Sequence, residues 1–132
     1  MTSRLRITFR ILLALYLLAI VVLCFGHFKS SPDIPKMLFG LPIDKVVHFC
    51  MFLPFPVLVF LAVDKYTTKA WHSVLFAVGL FVVGCAIAAA TELGQGLTTW
   101  RSADPKDFWA DAAALAVSSL AVFIIDISKQ HK

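Results

Sequence analysis

The chain predicts an all-α integral membrane protein with four membrane-crossing helices and both termini on the cytoplasmic side. Three observations carry that reading. Four apolar runs of about 18–23 residues are each long enough for the roughly 30 Å hydrocarbon core at 1.5 Å per residue. The 132 residues are 60% hydrophobic and only 15% charged, and the mean hydropathy is +0.86. A soluble domain this small cannot bury that much apolar surface. Polar segments separate the runs, so residues 1–132 read as one four-helix domain with helices at about 9–28, 45–63, 72–95 and 106–126.

Charge and cysteine content narrow the functional classes. A net charge of +4 and a pI near 9.2 would suit nucleic acid only if the basic groups formed a patch on a soluble surface. Here they lie between apolar runs, where the positive-inside bias of membrane proteins accounts for them, and no nucleic-acid partner is expected. Cys24, Cys50 and Cys85 all fall inside apolar runs, with no C-x-x-C or Cys/His spacing, and read as small buried hydrophobes.

The first run follows MTSRLRITFR, with Arg4, Arg6 and Arg10, and extends from Ile11 to Phe28. It exceeds the roughly 7–15 apolar residues of a signal peptide and lacks an A-x-A-like site, so it is expected to be a retained helix. Bulky Val21, Val22 and Leu23 before Cys24 speak against a lipidation site. Three prolines and a glycine in KSSPDIPKMLFGLPI, Lys29 to Ile43, break helix and mark a loop with an apolar dip at Met37 to Leu41. The second run begins at Asp44 and carries Pro54 and Pro56 in its middle, which predicts a bend.

The turn DKYTTKAWH, Asp64 to His72, returns the chain, with Trp71 suited to a membrane interface. The third run, Ser73 to about Gly96, holds Ala86, Ala90 and Gly94 at four-residue spacing, a stripe that would admit a close helix neighbour. The fourth, Lys106 to about Ile125, has a second small stripe in Ala110, Ala114 and Ser118, near the face of Asp107 and Asp111. Residues 126–132 read as a polar tail. With the N-terminus inside, seven Lys and Arg lie in inner segments and five in outer ones. Three of the seven immediately precede the first helix, which usually dominates orientation.

That orientation gathers polar residues at one end of the bundle. Thr91 to Asp111 holds Glu92, Arg101, Asp104, Lys106, Asp107 and Asp111 within 21 residues, more ionisable groups than a simple turn needs. Charges near membrane helices cost roughly 2.5–3.5 kcal/mol at a helix centre and are functional candidates by default. Asp44, Lys45, His48, Glu92, Gln95, Arg101, Asp107 and Asp111 are the candidate binding residues, and five of the chain's eight carboxylates fall in this layer. Asp104 and Asp44 read first as helix caps, with Pro105 at the first helical position. Asp111 lies about 10 Å inside its helix, beyond any capping role. Asp44 and His48 stand one turn apart on the same face, a spacing that allows a hydrogen bond between them. Lys45 or Arg101 is a candidate ion-pair partner for Glu92. Trp100 and Trp109 read as interface anchors.

The ordered set Ser30-Ser31-Pro32, DKVVHF from Asp44, E-x-x-Q at Glu92 and Gln95, Arg101, Asp107 and Asp111 resembles the VanZ-like family of small bacterial membrane proteins. The resemblance spans about residues 30 to 120. It implies a bacterial cytoplasmic-membrane protein, in a family named for a protein implicated in low-level teicoplanin resistance. The family usually has asparagine where Asp111 stands, and glycines where Ala114 and Ser118 stand.

Together these features predict a non-transporting, outward-facing site for an envelope-associated polar or anionic group: a lipid head group, a lipid-linked precursor or a glycopeptide. Lys45 and Arg101 would engage the anion, with His48, Glu92, Gln95 and Asp111 orienting it. A membrane enzyme using a divalent cation on a lipid-linked phosphate is the competing class. The carboxylate excess favours a cation, whereas no H-E-x-x-H or similarly strict metal motif occurs, and no metal ligand or cofactor is assigned. A polar layer that only locks helix register is a third reading. A transporter is disfavoured because the inner half looks nearly free of polar groups.

Overall fold

The computed structural model describes residues 1–26, 37–99 and 103–132, and of Leu38 only the backbone. Lys29, Ser30, Ser31, Pro32, Lys36, Trp100 and Arg101 lie outside the described residues. Among the described residues, four helical spans are long and apolar enough to cross a membrane, making the chain a multi-pass membrane protein by fold. The first is α1, Ser3–Phe25. It starts about six residues earlier than expected because Thr2 caps it, its hydroxyl accepting from Leu5 N–H at 3.3 Å. Arg4, Arg6 and Arg10 are therefore helical. A short antiparallel ribbon follows, β1 Met37–Leu38 against β2 Leu41–Pro42. Its turn places Phe39 and Gly40 at φ 53° and 78°, the left-handed pair a two-residue hairpin needs.

The second span is broken as the prolines predict, into α2, Ile43–Phe52, and α3, Phe55–Val63. Pro54 has no N–H to continue the ladder. The carbonyl of Met51, which a straight helix would pair with Phe55 N–H, accepts instead from the Tyr16 hydroxyl of α1 at 2.5 Å. Near the far end of α3, Arg10 Nε donates to the Ala62 carbonyl at 3.2 Å. The third and fourth spans are α4, Ala70–Gly96, and α5, Pro105–Gln130. Helix α5 runs four residues beyond its expected end, absorbing most of the expected polar tail.

The core runs down the centre of the bundle. Ile20, Cys24, Phe52, Phe55, Ala88, Ala114 and Leu115 form one buried cluster, and Phe60, Leu80 and Val122 a second. Of the cysteines only Cys24 is buried; Cys50 is exposed and Cys85 is half-buried.

The buried face of α4 differs from the one its small-residue spacing suggested. Ala86 and Ala90 are exposed, and Gly94 packs beside Phe25. The face turned to α5 is Ala77, Leu80, Gly84 and Ala88, continuing into Thr91, Glu92 and Gln95. At about 100° per residue, a two-residue offset rotates the stripe to nearly the opposite side. Glu92 lies one turn beyond Ala88 and shares its face. On α5 the expected stripe holds better: Ala114 and Ser118 are buried with Asp107 and Asp111, and Ala110 is half-buried.

Candidate functional site

Helices α2, α4 and α5 each send acidic, basic or imidazole groups to one end of the bundle. Asp104 organises the junction. It caps α5, its Oδ1 accepting from Lys106 N–H at 3.0 Å, and its own N–H donates to Glu92 Oε1 on α4. Its Oδ2 accepts from Lys45 on α2 at 2.6 Å. The Lys45 ammonium also contacts Asp44 Oδ2 at 2.9 Å and bonds Asp107 Oδ1. It is thus enclosed by three carboxylates, and its charge points into the protein rather than toward an incoming anion. Bonding to Lys45, then to the Lys106 N–H, holds the Asp104 carboxyl below the usual carboxylate range.

Deeper in the bundle, His48 Nδ1 lies 3.0 Å from Asp111 Oδ1, and its Nε2 lies 3.4 Å from Asp107 Oδ2. The one-turn bond to Asp44 that the spacing allows is replaced by these contacts across helices, because His48 faces α5 while Asp44 stays exposed in the first turn of α2. Asp44 is not the cap either; Pro42 occupies that position. Asp111 is fully buried, and Asp107 and Glu92 are 8% and 6% exposed. Glu92 pairs with the Asp104 backbone rather than with Lys45. Its second oxygen, Oε2, is buried without a hydrogen-bond partner among the described residues.

Gln95 stands apart from this group. Its Nε2 donates to the Cys24 carbonyl near the end of α1 at 3.1 Å, satisfying an acceptor the helix terminus leaves open. The other expected residues, Asp44, Lys45, His48, Glu92, Asp107 and Asp111, converge, and Arg101 lies outside the described residues. Ligand-type atoms of His48, Glu92 and Asp107 fall within 4.8 Å of one another, as do those of Asp44, Asp104 and Asp107. The second trio holds the Lys45 ammonium.

Beside the cluster, Ala89, Glu92, Leu93, Pro105, Phe108 and Trp109 line an open groove of about 370 Å³ between α4 and α5. Its walls are apolar apart from Glu92. Trp109 on its rim is 68% exposed, as an interface anchor would be.

A second polar network at the opposite end escaped the sequence reading. Asp126, fully buried, accepts from Thr67 N–H at 3.0 Å, Thr67 Oγ1 at 2.6 Å and Ser73 Oγ at 2.7 Å. Gln130 Nε2 donates to both hydroxyls at 2.7 Å. The half expected to face inward therefore contains buried polar groups, contrary to expectation. They tie the turn before α4 to α5, and the Phe60, Leu80 and Val122 cluster lies between the two ends. The available signal was the position of Asp126, within helical reach of an apolar run and spaced four residues from Gln130.

Comparison with known proteins finds no matching family model, no similar curated protein and no similar solved structure.

Proposed function

We propose that this multi-pass protein resides in the bacterial cytoplasmic membrane with both termini inside. In this reading it is VanZ-like, and its outward-facing polar cluster binds an envelope-associated polar or anionic group: a lipid head group, a lipid-linked precursor or a glycopeptide. One observation carries the reading: Glu92 belongs both to the buried polar cluster and to the apolar groove between α4 and α5. An amphiphile lying along Leu93, Phe108 and Trp109 would bring its head to this carboxylate. Apolar pockets with a few convergent polar groups are the usual form of a ligand site.

Photo-crosslinking from position 89 in cells tests this. The expected result is a recurrent adduct of defined head-group chemistry, its yield reduced by Glu92→Gln. Adducts that mirror bulk phospholipid composition, unchanged in that variant, would refute it.

A membrane enzyme acting on a lipid-linked phosphate is the second reading, favoured by the convergence of His48, Glu92 and Asp107. Turnover of a lipid-linked phosphate by the purified chain, lost in His48→Ala, would select it over simple binding.

A further inference from the structure

We propose that His48, Glu92 and Asp107 bind a divalent transition-metal ion of the zinc or manganese kind, with its remaining coordination positions directed toward the groove beside Glu92. Each of the three residues has one polar atom held by a partner outside the trio, which leaves a second to act as ligand. His48 Nδ1 is taken by Asp111 at 3.0 Å, which leaves Nε2. Asp107 Oδ1 is taken by Lys45, which leaves Oδ2. Glu92 Oε1 accepts the Asp104 N–H, which leaves Oε2. That last atom is the second, independent sign of a ligand, because the residue is more than nine-tenths buried and Oε2 has no partner among the described residues.

The distances suit a metal. Ligands about 2.0–2.2 Å from a tetrahedral ion stand about 3.4 Å from one another. His48 Nε2 and Asp107 Oδ2 are already 3.4 Å apart, and His48, Glu92 and Asp107 each offer one ligand-type atom within 4.8 Å of the others', a gap that side-chain rotation closes. The Asp111 contact completes a carboxylate–histidine–metal arrangement, in which the outer carboxylate fixes the tautomer and aims Nε2. This gives Asp111 a reason to be fully buried two turns inside a membrane helix.

Charge points the same way. Glu92, Asp107 and Asp111 are all buried, and an uncompensated buried carboxylate costs several kcal/mol. Lys45 pairs with Asp44, Asp104 and Asp107, one positive charge against three negative ones. Among the described residues, His48 is the only basic group within 4.0 Å of Asp111, and none lies that close to Glu92. One nitrogen and two oxygen ligands favour a transition metal over magnesium or calcium, which take oxygen ligands. Three protein ligands leave coordination open, as metal sites that accept exogenous groups require.

The inference rests on the head-group reading for what fills those open positions: an anionic oxygen, from a phosphate or a carboxylate, bound through the metal rather than through Lys45.

The test uses the full chain purified in detergent and stripped with a chelator. Cobalt(II), a spectroscopic stand-in for zinc, is titrated alone, and zinc and manganese are then competed against it. Wild type is expected to bind one equivalent at micromolar or tighter affinity, with visible ligand-field bands and no sulfur-to-cobalt charge-transfer band. Glu92→Gln should weaken binding about 100-fold and Asp111→Asn about 10- to 100-fold, both variants retaining helical circular dichroism. Wild type failing to bind any of the three ions below millimolar concentration would overturn the site whatever the variants do. So would equal affinity in a folded Glu92→Gln variant. Repeating the position-89 crosslinking with and without chelator separates the two proposals. Cobalt binding without a defined lipid adduct removes the head-group reading alone, and a defined adduct from a protein that binds no metal removes the metal site alone.

Discussion

Gly84→Leu tests which face of α4 meets the rest of the bundle. A β-carbon there would lie 2.5 Å from Leu115 Cδ2, 3.0 Å from Cδ1 and 3.3 Å from Cγ, whereas non-bonded carbons settle at about 3.5–4.0 Å. Leu115 has little room to yield, being 0% exposed in the cluster with Ile20, Phe52, Phe55 and Ala114. Overpacking of this kind costs about 1–3 kcal/mol, and leucine adds three carbons beyond the β-carbon. Replacing a helical glycine returns about 0.8–1.0 kcal/mol in backbone propensity. With the β-carbon at 2.5 Å placing the clash at the upper end of that range, the expected net loss is about 2 kcal/mol. Ala90→Leu introduces the same side chain on the exposed face and should change stability by less than about 0.5 kcal/mol. Reversible unfolding in mixed detergent micelles, followed by far-ultraviolet circular dichroism, measures both. Equal losses in the two variants, or none in Gly84→Leu, would refute the assigned packing face.

Three further outcomes are expected. The carboxyl of Asp104 is held low by Lys45, so its contribution to stability is present above its unfolded pKa of about 3.9 and disappears as pH falls through the lower folded value. Unfolding midpoints of wild type and Asp104→Asn should therefore converge below about pH 4, and a gap that widens on acidification would contradict the pairing. Asp126→Ala removes the acceptor of three hydrogen bonds and should cost at least about 2 kcal/mol in the same unfolding assay. With Cys24, Cys50 and Cys85 replaced, a cysteine at Thr99 should react with an impermeant maleimide on intact cells and one at Lys65 only after permeabilisation; the opposite pattern would invert the proposed orientation.

The spans were legible because twenty-residue apolar runs leave few alternatives, and the bend because a proline removes a donor wherever it sits. The candidate cluster was legible in part. Charges beside apolar runs stand out, and six of the eight expected residues meet at one end. Their partners were less accessible. Asp44 and His48 share a helix face, but His48 turns to Asp111, 63 residues away, and no periodicity encodes that distance. The three proposed metal ligands come from three helices and so form no local motif. Ala86, Ala90 and Gly94 repeat as regularly as the true contact face, because small residues are common all around α4 and spacing alone does not say which side has a neighbour. Asp126 was lost to the assumption that a polar C-terminal stretch is a tail, when the helix in fact carries it into a hydrogen-bond network.

The bend between α2 and α3 bears on how the protein is made. Two carbonyls of this span, those of Met51 and Ala62, take donors from Tyr16 and Arg10 of α1. A backbone acceptor without a partner is expensive in hydrocarbon. During synthesis the chain emerges with α1 ahead of the bent span, so the hydroxyl and guanidinium are in place before the carbonyls that need them. The donors thus precede their acceptors in the chain, an order that would let the first helix act as a template on which the broken second span completes its hydrogen bonding.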